Sequence, residues 1–225
     1  MTHQIFYWKR NHFLIILAGI GIVSGFLRGT VSAQSPQRPG EINNKTSRVY
    51  TFVGKTGFGH EHAVIGEIKS GIIQLGATHN AGEIVFDMTT WKADTPQARK
   101  YIGLKGTTSA STQSEVNTNM LGSGVLNVRK YPTSIFKISS ALPLKQQPSN
   151  GKTRYQLDGT FTLHGTSRKI SVIAEVTDRN QQQHLRGSFT IKQTDFGITP
   201  FSKAFGAVGV TDELKIFGEI DLTRE

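Results

Sequence analysis

The sequence predicts an all-β fold, an antiparallel barrel or sandwich of eight or nine short strands in a single domain. Two observations predict it. From Arg48 onward apolar and polar residues alternate with period two, which turns one side of each segment toward a core and the other toward water. Turn-forming groups such as Ser149-Asn150-Gly151 and Asp178-Arg179-Asn180 separate several of these segments.

The N-terminal stretch lies outside that pattern. Residues 1–33 read as a signal peptide, with a basic start at Lys9 and Arg10, an apolar run from Phe13 to Leu27, and the small residues Val31 and Ala33 ahead of Gln34. The run is shorter than the roughly 20 residues a bilayer crossing needs, so cleavage near Ala33 is expected rather than a membrane anchor. Export to the periplasm or outside the cell follows as the expected location. The chain has no cysteine, which excludes attachment through a lipidated thiol and leaves stability to the core rather than to disulfides. Residues 34–47, polar and carrying Pro36, Pro39 and Gly40, predict a flexible linker, and residues 48–225 form the domain.

Within the domain the clearest strand is Tyr155 to Leu163. Tyr155, Leu157, Phe161 and Leu163 share one face, and Gln156, Asp158, Thr160 and Thr162 share the other. Val172, Ala174 and Val176 repeat the pattern, as do Ile216, Gly218, Ile220 and Leu222. Further strands are expected at Val49–Lys55, Ala63–Ile73, Glu83–Asp87, Gly124–Val128, Ser134–Ala141 and Leu185–Lys192. Thr95 to Thr118 breaks the alternation. Pro96-Gln97-Ala98-Arg99-Lys100-Tyr101 and the Ser/Thr-rich run after it predict one or two short helical turns and a long loop.

Charge narrows the partners. Without Lys9, Arg10 and Arg28 the exported chain keeps 23 of its 26 Lys+Arg against all 16 Asp+Glu. That basic surplus suits contact with an anionic membrane surface or a phosphate-bearing ligand. The basic residues are scattered singly and no nucleic-acid motif is present, so nucleic acid is not an expected partner.

Chemistry-bearing motifs are sparse. His60-Glu61-His62 is a candidate metal site, because residues i and i+2 of a strand project to one face and both imidazoles then meet one ion. A third ligand would have to come from His79 or His164, and side chains that face solvent or cap a turn explain the pair more simply. The chain has no Gly-x-Ser-x-Gly, no His-Glu-x-x-His, no phosphate-cradling glycine loop and no cysteine nucleophile, so neither an enzyme nor a cofactor is expected.

Three ordered segments resemble the YceI-like family. Lys130-Tyr131-Pro132 with Ile135-Phe136-Lys137-Ile138-Ser139-Ser140 is similar to that family's aromatic-Pro…Phe-x-Ser segment. Leu157-Asp158-Gly159-Thr160-Phe161-Thr162-Leu163-His164-Gly165 resembles its Leu-Thr-Leu-His-Gly hairpin. Thr194-Asp195-Phe196-Gly197-Ile198, followed by Val208 through Leu214, resembles its Asp-Phe-Gly-Ile ending, with Gln193 where the family commonly has arginine. The resemblance implies an extended lipocalin-like antiparallel barrel of about eight strands. It also implies a long-chain amphiphile, such as a polyisoprenoid, held in the interior. Strand alternation and aromatic size then name Phe86, Phe136, Ile138, Leu157, Phe161, Leu163, Phe189 and Ile191 as candidates to line that interior. Sequence periodicity leaves open whether they line a pocket or close a core.

Overall fold

The computed structural model describes residues 38–146, 148, 152–179 and 182–224 beside the initiator Met1. The signal-peptide expectation and the Ser149-Asn150-Gly151 turn therefore lie outside the described residues. Nine strands run in the order β1 (Arg48–Gly57), β2 (His62–Ile73), β3 (Gly82–Ala93), β4 (Thr133–Pro143), β5 (Thr153–Leu163), β6 (Thr166–Arg179), β7 (Gln182–Lys192), β8 (Ser202–Lys203) and β9 (Val208–Thr223). Each strand from β1 to β6 pairs antiparallel with the next, β7 pairs with β9, and β9 pairs with β1. Those eight strands close a barrel, and β8 is a short addition on β9. Closure leaves the barrel without the unpaired N–H and C=O groups that invite edge-to-edge association.

Alternation places the side chains as the pattern demands. On β1, Val49 and Thr51 point inward while Tyr50 packs outside against α1 (Pro96–Ile102). On β9, Ile216, Ile220 and Leu222 are buried inside. Phe217 meets the outer cluster, and Glu219 and Asp221 bond His184. The outer cluster is held by the stacked rings of Tyr50 and Tyr101, 3.8 Å apart, and by a 2.6 Å hydrogen bond from the Tyr101 hydroxyl to Glu219.

Four segments correct or extend the sequence reading. Gly124–Val128 is a turn, not a strand. Val125 to Val128 bond back to carbonyls between Met120 and Gly122 at the end of α2 (Ala110–Leu121), and Asn127 has φ +45°. Local capture of α2's free carbonyls outcompetes a ladder there. Strand β3 runs past Asp87 to Ala93 because its alternation is interrupted by a bulge, Met88 to Trp91 standing opposite the single residue Gly66. The loop after Thr95 holds two capped helices. Thr95 and Ser109 accept from Ala98 and Thr112 N–H, and Gly103 ends α1 at φ +87°.

The fourth difference concerns the described part of the linker. Ile42 bridges Leu222 and Glu41 bridges Ile72, while Ile42 and Ser47 are buried. An apolar residue and a register-matched backbone suffice to dock this polar stretch. It closes the pole of the barrel opposite α1 and α2.

Candidate functional site

The site follows from what fills the barrel. Along its axis run three apolar cavities of about 130, 40 and 60 Å³. The upper one lies beneath α2 and the segment before β9, against Val64, Met120, Leu126, Phe201 and Val210. The middle one is walled by Met88, Phe161, Leu163 and Ile191, and the deep one by Ile73, Phe136, Leu157 and Leu185. Neighbouring cavities share walls. Thr51, Trp91, Leu126 and Leu214 line both upper and middle, and Val49, Phe86, Phe189 and Ile216 line both middle and deep. The result is an axial row of three cavities separated by two necks, and this row is the barrel's passage.

Two structural causes hollow it. At one level of the barrel the strand register sets Ala174, Gly187, Gly218, Val49 and Gly66 side by side across β6, β7, β9, β1 and β2. A run of small residues at inward positions withdraws volume from one wall, and Gly187 and Gly218 border the deep cavity. On the opposite side Phe161 meets Phe86, Phe189 and Phe196 edge-to-face at centroid distances of 6.1, 5.8 and 5.6 Å. This aromatic cluster sets the width of the middle section, in the geometry that ring quadrupoles favour.

Seven of the eight residues selected by alternation line the passage: Phe86, Phe136 and Leu157, Phe161 and Leu163, Phe189 and Ile191. Ile138 is buried in the same core but does not reach the cavities. Thr51, Gly66, Trp91, Leu126, Gly187 and Gly218 were not singled out by sequence. The available signal was the isolated glycine at an inward position of a strand, which marks a hollow or a close approach.

The mouth is polar and partly basic. A cleft of about 700 Å³ is bordered by Lys55, His60, Glu61, Asp94, Arg99 and Lys105, and His62 lines both this cleft and the upper cavity. Asp94 is the organiser. Its buried carboxylate, at φ +56°, accepts from His62 Nδ1 at 2.7 Å, from Ala63 N–H and from Arg99 Nη1, both at 3.1 Å. Burial works against its charge, but the bonds from His62, Ala63 and Arg99 outweigh burial and hold the carboxyl below the ordinary aspartate range. His60 lies in the turn before β2, not in the strand, so the same-face premise for the pair fails. Among the described residues no three His, Cys, Asp or Glu side chains gather as a metal site. His79 sits in the β2–β3 turn at the far pole, and His164, in the β5–β6 turn, packs against Tyr131 at 4.4 Å with the rings tilted by 57°.

The three sequence motifs serve the scaffold around this site. Tyr131 packs over His164 and over Gly165, where a Cβ would stand 2.8 Å from the ring, so the first two motifs meet at the rim. Phe196 of the third is 1 % exposed beside Phe161, and the Asp212 carboxylate clamps its turn by accepting from Thr194 N–H at 2.9 Å and Thr194 Oγ1 at 2.7 Å.

Comparison with known proteins agrees with this architecture. The model of the YceI-like domain matches residues 41–222. The fold is similar to that of BcnA from Burkholderia cenocepacia, at 16 % identity and a TM-score of 0.51, over 81 % of this chain and 99 % of that one. It is also similar to a polyisoprenoid binding domain from Saccharophagus degradans implicated in plant cell wall breakdown. There the identity is 10 % and the TM-score 0.53, over 84 % of this chain and 100 % of that one. No curated protein matches the chain in sequence.

Proposed function

The chain belongs to the family of YceI-like domain proteins, and on that premise we propose that it is an exported, non-catalytic carrier that holds a long-chain amphiphile, a polyisoprenoid or similar lipid, inside the barrel. The observation that carries this reading is the axial row of three apolar cavities, neighbours sharing lining residues, with His62 common to the upper one and the polar cleft. Removing apolar surface from water contributes about 25 cal/mol per Å², so a tail threaded along this passage is held without polar contacts. The necks at Trp91 and Phe189 are narrow, so a long tail is admitted by rotation of these rings. The head group stays in the cleft, where Lys55 and Lys105 suit an anionic or strongly polar group. The name of the Saccharophagus domain supports the lipid class.

Collection from a membrane completes the reading. Phe58 and Phe205, 86 % and 113 % exposed, stand at the mouth, tied together where Phe58 N–H donates to the Ala207 carbonyl at 2.9 Å. Consecutive left-handed residues, Ala204 at φ +52° and Phe205 at φ +54°, hold the second ring out in solvent. Two exposed aromatics beside Lys55 and Lys203 match an interfacial contact with an anionic bilayer.

Solvent extraction and mass spectrometry of protein purified without detergent test the cargo. An amphiphile near one equivalent per chain is expected, and nothing above blank counts against the carrier. Flotation with phosphatidylglycerol vesicles tests the mouth, with binding expected for the protein and lost in the Phe58→Ser/Phe205→Ser variant.

A further inference from the structure

The neck between the upper and middle cavities carries chemistry that a plain hydrocarbon tail does not use. Thr51 Oγ1 and Trp91 Nε1 are the two buried side-chain polar atoms, among the described residues, that make no hydrogen bond. Both residues line both cavities, which places the two side chains at the same neck. Thr51 is 2 % exposed. Its inward neighbours on β1 are Val49 and Val53, and valine, of nearly the same shape, would fill its place with no polar atom to satisfy. A buried donor without a partner is destabilising, so an ordinary closed core disfavours both groups.

The indole is also deliberately seated. The Met88–Trp91 bulge carries Trp91 opposite Gly66, and a Cβ at Gly66 would stand 2.3 Å from Nε1. Any other residue at 66 would displace the N–H.

We propose that this neck is a hydrogen-bonding subsite for an uncharged carbonyl oxygen of the ligand. The indole N–H only donates, a hydroxyl donates as readily, and one carbonyl oxygen has two lone pairs to accept both. A charged oxygen is disfavoured, because no Lys, Arg, Asp or Glu lines either cavity and an ion there would be desolvated without a counter-charge. The subsite lies one cavity below the mouth. The oxygen is therefore carried either along the chain or on an uncharged head drawn inside the barrel. The inference rests on the carrier reading and adds the chemical class of what is carried.

Three uncharged probes of equal length separate the outcomes: octadecane, 2-octadecanone and 9-octadecanone. Each is delivered from cyclodextrin to compete with a fluorescent fatty-acid analogue bound to the protein. At least one ketone is expected to bind about tenfold more tightly than the alkane, as one net hydrogen bond gives. Preference for 2-octadecanone assigns the oxygen to a chain end, and preference for 9-octadecanone to the chain interior. Thr51→Val, which keeps the shape, and Trp91→Phe should each cut the ratio of ketone to alkane affinity, and the double variant should abolish it. Equal binding of alkane and ketones, as when an ordered water satisfies both donors, overturns the subsite and leaves the carrier standing. A ketone preference that survives the double variant also overturns it, and failure of all three probes overturns subsite and carrier together.

Discussion

Substituting Gly218 by valine probes the reach of the passage. Gly218 borders the deep cavity of about 60 Å³, and a Cβ placed there meets only Ile220 Cδ1 and Cγ1, at 3.6 and 3.8 Å, ordinary contact distances. Its backbone is extended strand, which a β-branched residue favours. Valine adds three carbons to the hollow, and at about 0.8 kcal/mol for each buried carbon the protein without cargo should gain about 2 kcal/mol. Relief of glycine's unfolded-state entropy adds about 0.5–1 kcal/mol. The same three carbons exclude as much of a tail's end, so tails that reach the deep cavity should lose about 2 kcal/mol, roughly thirtyfold in affinity, while tails ending higher are unaffected. Urea denaturation and probe displacement by a series of fatty acids of increasing length measure the two effects. A destabilised variant would mean that the wall is already packed. A stabilised variant that still binds long tails fully would mean that cargo never extends below the second neck.

Other expectations follow from the same packing. Ile42→Ala should cost about 3 kcal/mol in urea unfolding, since it removes a buried side chain from the closed pole; a change below 0.5 kcal/mol, the scatter of surface substitutions, would return residues 38–47 to a linker. Phe161→Ala should cost about 4 kcal/mol and widen the middle section, read as tighter competition by branched than by linear chains. The acid limb of stability depends in part on Asp94. Its folded pKa lies below the unfolded value near 3.9, so its contribution is present above that value and fades as pH falls through the folded one. The unfolding free energy of Asp94→Asn should therefore be lower than that of wild type at pH 6, by about 3 kcal/mol, and the gap should narrow as pH falls below about 3.9. Parallel curves at all pH values would refute that role.

Alternation alone makes most of the barrel legible, because a strand buried on one side must repeat every second residue. Tyr155 to Leu163 and Lys215 to Leu222 fall on β5 and β9, and the aromatic lining falls on the inner face. What escaped was set by pairing between distant strands. The meeting of Gly187 with Gly218, and of Val49 with both Gly218 and Gly66, depends on register that no single strand encodes. Trp91 was hidden because a bulge shifts its phase relative to Phe86. Gly124 to Val128 looked like a strand because its apolar residues do pack on the core, but their backbone partners are the end of a helix. Asp94 had no local signature, since its donors His62, Ala63 and Arg99 come from β2 and α1.

The docking of Gly40 to Ser47 beside the end of β9 has a geometric corollary. Gly40 N–H donates to the Thr223 carbonyl at 2.9 Å, so the start and end of the described domain lie together at one pole, across from Phe58 and Phe205. A tether, fusion partner or solid support joined next to Gly40 or Thr223 therefore grips that pole, and the end with Phe58 and Phe205 is left pointing outward to whatever it unloads or collects.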